Sequence, residues 1–164
     1  MLNHTGFSFL FCNFKVTAKP KAMKTMILAL CTSLLCCLSS FAQEAPVEQS
    51  QLPREAKNFL KEHFKSKFHH AVKDVDGRVI TYEVVLNDNT EIDFDDSGRW
   101  MEVDGKNKAI PTSFIQKQTL DYVKINNPKE AIVKIERSDS GYDVELSNGV
   151  DLKFDAMGTF VKVD

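Results

Sequence analysis

Three features of the sequence predict an α+β fold in which two units, each one helix followed by four strands, share a single antiparallel sheet. The phrase "FDDSGRWMEVD" (Phe94 to Asp104) returns as "FDAMGTFVKVD" (Phe154 to Asp164), an offset of 60 residues. Polar and apolar residues alternate with a period of two before and between these phrases, as strands with one buried face require. An apolar-Pro pair, Leu52-Pro53 or Ile110-Pro111, precedes a stretch of helical spacing in each unit. The units are residues 52–105 and 106–164. Together they predict a sheet of about eight strands with both helices on its apolar face.

In the first unit, "PREAKNFLKEHF" places Ala56, Phe59, Leu60 and Phe64 on one side of a helix near residues 53–65, with Lys57, Lys61, Glu62 and Lys65 away from it. The second helix, near residues 112–125, has Ile115, Leu120, Tyr122 and Val123 as its apolar set and stops at Asn126-Asn127-Pro128. First strands are expected from Ala71 to Val75 and from Ala131 to Ile135, the offset of 60 running without a gap from Ala71 onward. Tyr82, Val84 and Leu86 then share one face against Glu83 and Val85. Tyr142, Val144 and Leu146 repeat this against Asp143 and Glu145. The turns "NDNT" and "SNGV" follow, Asn148-Gly149 being a strong hairpin signal. Thr90, Ile92 and Phe94 form the next apolar row, backed by Glu91, Asp93 and Asp95. "DDSG" and "DAMG" turn the chain again, with glycine supplying a positive φ. In the last strands, simple alternation sets Met101, Val103, Val161 and Val163 on one face and Trp100, Glu102, Phe160 and Lys162 on the other. Eight of the 23 positions from Tyr82 to Asp104 are identical in the second copy, so the chain reads as an internal duplication.

The N-terminal 42 residues read as a signal peptide region. Lys15, Lys19, Lys21 and Lys24 precede the apolar run Met26 to Ala42, which closes on Ser40-Phe41-Ala42. "MKTMILAL" makes Met23 an alternative start. Residues 43–51, "QEAPVEQSQ", are polar without periodicity and are expected to form a flexible leader. All four cysteines lie before residue 43, so a chain cleaved there has no thiol, and disulfides, thiolate catalysis and Cys-ligated zinc are excluded from it. The same 122 residues carry 17 Lys and Arg (21 less the four named) against 23 Asp and Glu, a net charge of −6 that argues against nucleic-acid binding.

"YEVVLNDNTEIDFDDSGRWMEVD" and "YDVELSNGVDLKFDAMGTFVKVD", each behind an apolar-Pro helix and both behind a signal peptide, resemble the PepSY-like, β-lactamase-inhibitor-like family of Bacteroidetes-type bacteria. The resemblance covers both units. It implies a tandem α-β4 fold and a periplasmic or secreted binding protein.

Chemistry-bearing patterns are sparse. Asp93, Asp95, Ser97, Gly98 and Asp104 have the spacing of a calcium loop, but strands flank them, and the second copy has Lys153 and Met157 in place of ligands. His63, His69 and His70 lack a metal-binding spacing, and the two units share no Ser and no His, so neither a cofactor nor an enzyme is expected. The remaining expectation is a protein-binding face. Trp100 and Phe160 would anchor it, among Glu83, Val85, Glu91, Asp93, Glu102, Asp143, Glu145, Asp151, Lys153 and Lys162. The alternative for the aromatics is packing across the seam between units. The alternative for the acidic face is a small ligand or cation. A monomer is expected, with an envelope or secreted protein as partner and no membrane contact after cleavage.

Overall fold

The computed structural model describes residues 44–164; the signal region lies outside them. Among the described residues nine strands form one antiparallel sheet in chain order: β1 (Ala45–Val47), β2 (Phe68–Asp76), β3 (Val79–Leu86), β4 (Glu91–Asp95), β5 (Trp100–Asp104), β6 (Ile132–Ser138), β7 (Gly141–Leu146), β8 (Asp151–Asp155) and β9 (Phe160–Val163). Helix α1 is Arg54–His63, and α2 is Lys117–Asn126. No described helix is long and apolar enough to cross a membrane.

One row of cross-strand partners crosses the whole sheet: Val47, Ala71, Val84, Ile92, Val103, Ile135, Val144, Leu152 and Val163. From Ala71 to Leu152 every member is buried. Both helices lie on this face. Phe59 of α1 meets Phe94 edge-on at 5.8 Å, and Tyr122 of α2 stacks on Phe160 at 4.2 Å. The stripes that cover the sheet are Ala56 and Leu60 of α1 and Thr119 and Val123 of α2.

Four details depart from the sequence expectation. The sheet has nine strands, because residues 43–51, expected to be a flexible leader, supply β1 and a 3-10 turn, Gln49–Gln51. The reason is an open edge: β2 has unpaired main-chain groups on its outer side, and β1 satisfies them. Helix α2 begins at Lys117, with Gln116 at its N-cap, so Ile110-Pro111 leads into a loop instead of a first turn. The first strand of the sheet proper is longer than Ala71 to Val75. Finally, the offset of 60 holds from β3 and β7 onward, whereas Phe68 and Ile132 face Leu86 and Leu146, an offset of 64. The extra length lies in the β2–β3 hairpin, which extends past its β6–β7 counterpart into solvent. Burial selects this pairing, since it sets Ala71 beside Val84 in the core as Ile135 is set beside Val144.

The two copies of the opening phrase build the same turn. Asp95 Oδ1 accepts the N–H of Ser97 and of Arg99, each at 2.9 Å. Asp155 Oδ1 accepts those of Met157 and Thr159 at 2.9 and 2.8 Å. Gly98 and Gly158 close these turns at φ 87° and 80°. A Cβ on Gly98 would lie 2.7 Å from the Pro53 Cβ and 2.8 Å from the Ala56 N, and one on Gly158 would lie 2.5 Å from Gln116 Oε1. Each glycine is thus the seat on which a helix N-terminus rests.

Candidate functional site

The face opposite the helices is almost wholly polar. Next to the apolar row runs a second one: Pro46, Val72, Glu83, Asp93, Glu102, Glu136, Asp143, Lys153 and Lys162. A third contains His70, Val85, Glu91, Asp104, Lys134, Glu145 and Asp151. Nine of these side chains are carboxylates and three are lysines. The structure therefore places Glu83, Val85, Glu91, Asp93, Glu102, Asp143, Glu145, Asp151, Lys153 and Lys162 together on the open face, as alternation predicts.

Trp100 and Phe160 are not there. In β5 the register moves from Asp93 opposite Glu102 to Phe94 opposite Trp100, so Met101 is an extra residue; β9 repeats this with Val161. Such a bulge reverses the parity of everything before it, which turns Trp100 to the helix side beside Phe94. The indole is 8% exposed. It stacks between Phe59 at 6.3 Å and Tyr142 at 6.1 Å, meets Phe114 edge-on at 5.3 Å, and is covered by the Arg137 guanidinium at 4.2 Å. Phe160 lies half-buried between Tyr122 and Phe154. The expectation that these two rings stand on the open face is corrected: Trp100 joins the two halves of the sheet, and Phe160 anchors α2.

Repulsion among the carboxylates is only partly relieved. Lys106 reaches Glu91 at 2.5 Å and Asp104 at 2.7 Å, Lys134 pairs with Glu102 at 2.7 Å, and Lys153 bridges Asp143 at 2.8 Å and Asp164 at 3.3 Å. Hydrogen bonding to these carboxylates holds Lys106 and Lys134 above the usual lysine range. Asp104, despite an upward push from its partial burial, is held low by Lys106. Lys106 pulls Asp93 down by less than its other neighbours push it up. Burial first, then Glu102, Glu83 and Glu91, push its carboxyl up to about 6, and Glu83 is raised by burial and by Glu91. One oxygen of Asp93 and one of Asp74 are buried without a hydrogen-bond partner among the described residues. Both residues line a cleft of about 260 Å³ with Glu44, Val72, Thr81 and Glu83. A second cleft, of about 280 Å³, lies between Lys134, Glu136, Asp143, Glu145, Asp151, Lys153 and Asp164.

The raised Asp93 value fixes a sign. Its ordinary value is 3.8, so the folded chain holds the proton more tightly than the unfolded chain does, and the ionised carboxylate opposes folding. This contribution to stability is intact below about pH 4 and is lost as the pH rises through about 6. Asp93→Asn is expected to raise stability at pH 7 by about 1 kcal/mol, after discounting for the partly solvated side chain, and to flatten the pH dependence between 4 and 6. Urea unfolding at several pH values measures both.

The calcium-like spacing is not gathered into a loop. Asp95 is engaged by its own turn and by Arg99 Nε at 2.8 Å, while Ser97 Oγ donates to Asp95. Among the described residues no three His, Cys, Asp or Glu side chains converge as a metal site. His63 Nδ1 lies 2.7 Å from Ser113 Oγ, but its ring packs on Phe59 and Phe114. His69 and His70 contact each other within β2. Sequence reasoning missed Asp104, Lys134 and Glu136 on the open face. Alternation about Ile135 in "IVKIERS" carried the signal for the last two.

Comparison with known proteins gives a consistent picture. Residues 80–162 match the family model described as "Putative beta-lactamase-inhibitor-like, PepSY-like". No curated protein matches the sequence. A crystal structure from Bacteroides thetaiotaomicron, described as a putative calcium-regulated periplasmic protein, is 35% identical and superposes with a TM-score of 0.71, covering 74% of this chain and 96% of its own. Two from Bacteroides vulgatus have the same TM-score. One, described as a putative periplasmic protein from the DUF2874 family, is 32% identical and covers 77% of this chain and 99% of its own. The other, described as a putative periplasmic protein of unknown function, is 33% identical and covers 74% and 99%.

Proposed function

This chain belongs to the PepSY-like family, and from that premise and its carboxylate-lined sheet we propose that it is an exported, non-enzymatic binding protein. Its ligand is the cationic surface of another protein, an envelope or secreted enzyme that it restrains, and the tandem units together supply the acidic face. The observation that carries this reading is the open face itself: nine carboxylates against three lysines in two adjacent rows, with the large aromatics withdrawn to the other side. A sheet face built only for solvation has no need of so one-sided a field, and unrelieved carboxylates raise the free energy of the unbound protein. The periplasmic relatives and the signal-like N-terminal region support export.

The test is affinity capture from an envelope extract with the chain starting at Gln43. Glu83→Lys combined with Glu145→Lys is expected to lower capture of the partner by about tenfold or more and to weaken its dependence on salt. Equal capture by the double variant would remove the open face from the binding site.

A second reading is favoured by one observation, the two unpartnered carboxylate oxygens of Asp74 and Asp93 in a single cleft. A cation in this cleft would supply a partner for such an oxygen, and one relative is described as a putative calcium-regulated protein. Under this reading calcium or zinc raises the melting temperature of the wild-type chain and not that of Asp74→Asn. A protein-binding face used alone predicts no such shift.

A further inference from the structure

The two edges of the sheet are finished differently. At the first edge β1 covers β2, and its central residue is Pro46, which has no N–H to offer a further strand. At the other edge β9 pairs, among the described residues, with β8 alone, and Val161 and Val163 are 60% and 57% exposed there.

The molecule contains an example of what such an edge accepts. β5 pairs with β4 through the same bulged register that joins β9 to β8, and on its outer side β5 receives β6. Asp104, Val103 and Glu102 of β5 face Lys134, Ile135 and Glu136, a basic, apolar, acidic succession read antiparallel. Val163 and Lys162 of β9, with Asp164 directly after it, are the corresponding residues. The segment Lys162-Val163-Asp164 is itself basic, apolar and acidic. Two copies of β9 laid antiparallel about Val163 place each Lys162 opposite an Asp164 of the other copy and the two valines opposite each other.

Main-chain direction agrees. The Asp164 N–H donates to Asp151 O at 3.0 Å, so the groups of Asp164 point toward β8 and, by the alternation of an antiparallel ladder, those of Val163 point outward. Gly105 N donates to Val133 O at 2.8 Å, which by the same alternation aims the groups of Val103 at β6. We propose that β9 is a self-association edge, at which two copies of this chain pair antiparallel about Val163 and continue the sheet across a two-fold axis. Lysine on an edge strand ordinarily discourages pairing. In this register each Lys162 meets an aspartate, while the register that would oppose Lys162 to itself is disfavoured, so the charges select one alignment. The contact is small, and the dimer is accordingly weak and concentration-dependent.

Sedimentation equilibrium of the chain starting at Gln43, from about 0.01 to about 1 mM, is expected to show a monomer passing into a dimer. Val163→Pro, which removes an outward N–H and leaves the bonds to β8, is expected to give monomer throughout. Lys162→Glu alone and Asp164→Lys alone are each expected to be monomeric, since each sets like charges opposite one another. An equal mixture of the two is expected to recover the dimer, because every opposed pair is then of opposite sign. Protection of the Val163 amide from hydrogen exchange in the wild-type chain, rising with concentration, tests the pairing without any substitution. A monomer at all concentrations, an assembly larger than a dimer, a dimer that persists in Val163→Pro, or a mixture that stays monomeric would each overturn the proposal.

Discussion

Replacing Trp100 with Ala is expected to cost about 3 to 5 kcal/mol of folding stability, the range for emptying a large aromatic core site. The indole is the point at which the halves of the sheet are tied. It stacks on Phe59 from the first helix and on Tyr142 from β7, with Phe114 at its edge and Arg137 over its face. Removing it leaves a void bordered by three rings and strips Arg137 of its aromatic support. For a domain of this size the melting temperature should fall by roughly 15 °C. Trp100→Phe keeps an apolar ring in the site and should lose no more than about half as much. Urea unfolding measures both. The wild-type emission should be blue and resistant to iodide, since the indole is the chain's sole tryptophan and is 8% exposed. A loss below about 1 kcal/mol with red, quenchable emission would show that the ring is no part of the core.

Gly98→Ala is expected to destabilise by about 3 kcal/mol, and Gly149→Ala by only about 1 kcal/mol, although the two glycines share a left-handed backbone. Gly98 has φ 87° and Gly149 φ 78°, so the conformational strain of adding a Cβ is similar. Their surroundings differ. Nothing lies within 4 Å of a Cβ on Gly149, whereas one on Gly98 would press on the Pro53 Cβ and the Ala56 backbone at distances that real Cβ atoms do not occupy. Accommodating it means lifting the start of α1 from the sheet, and Ala56, fully buried, is the residue that loses its packing. Unfolding of both variants under the same conditions isolates the contact from the strain. Equal losses would mean that the turn alone requires Gly98.

The pattern of alternation was enough to assign the strands and to separate the charged face from the apolar one, because period-two burial is a local property that each strand carries independently. The ten residues from Glu83 to Lys162 expected on the open face are all there, and the first helix lies where its apolar spacing put it. Trp100 and Phe160 were misplaced for a physical reason: a bulge inserts one residue into the ladder, and the neighbouring strand, not the bulged segment, decides where. Strands β2 and β6 likewise matched at an offset of 60 in sequence and pair at 64, since the register follows which apolar residue is buried beside Val84 or Val144. The leader became β1 because β2 presented an edge that only the folded sheet creates. What the sequence determined by itself is the two helices, the eight strands β2 to β9 and the two-faced character of the sheet. The tertiary structure alone decided which residues oppose one another, where Trp100 is buried, and which edge of the sheet has no neighbour among the described residues, because each of these depends on pairing between segments far apart in the chain.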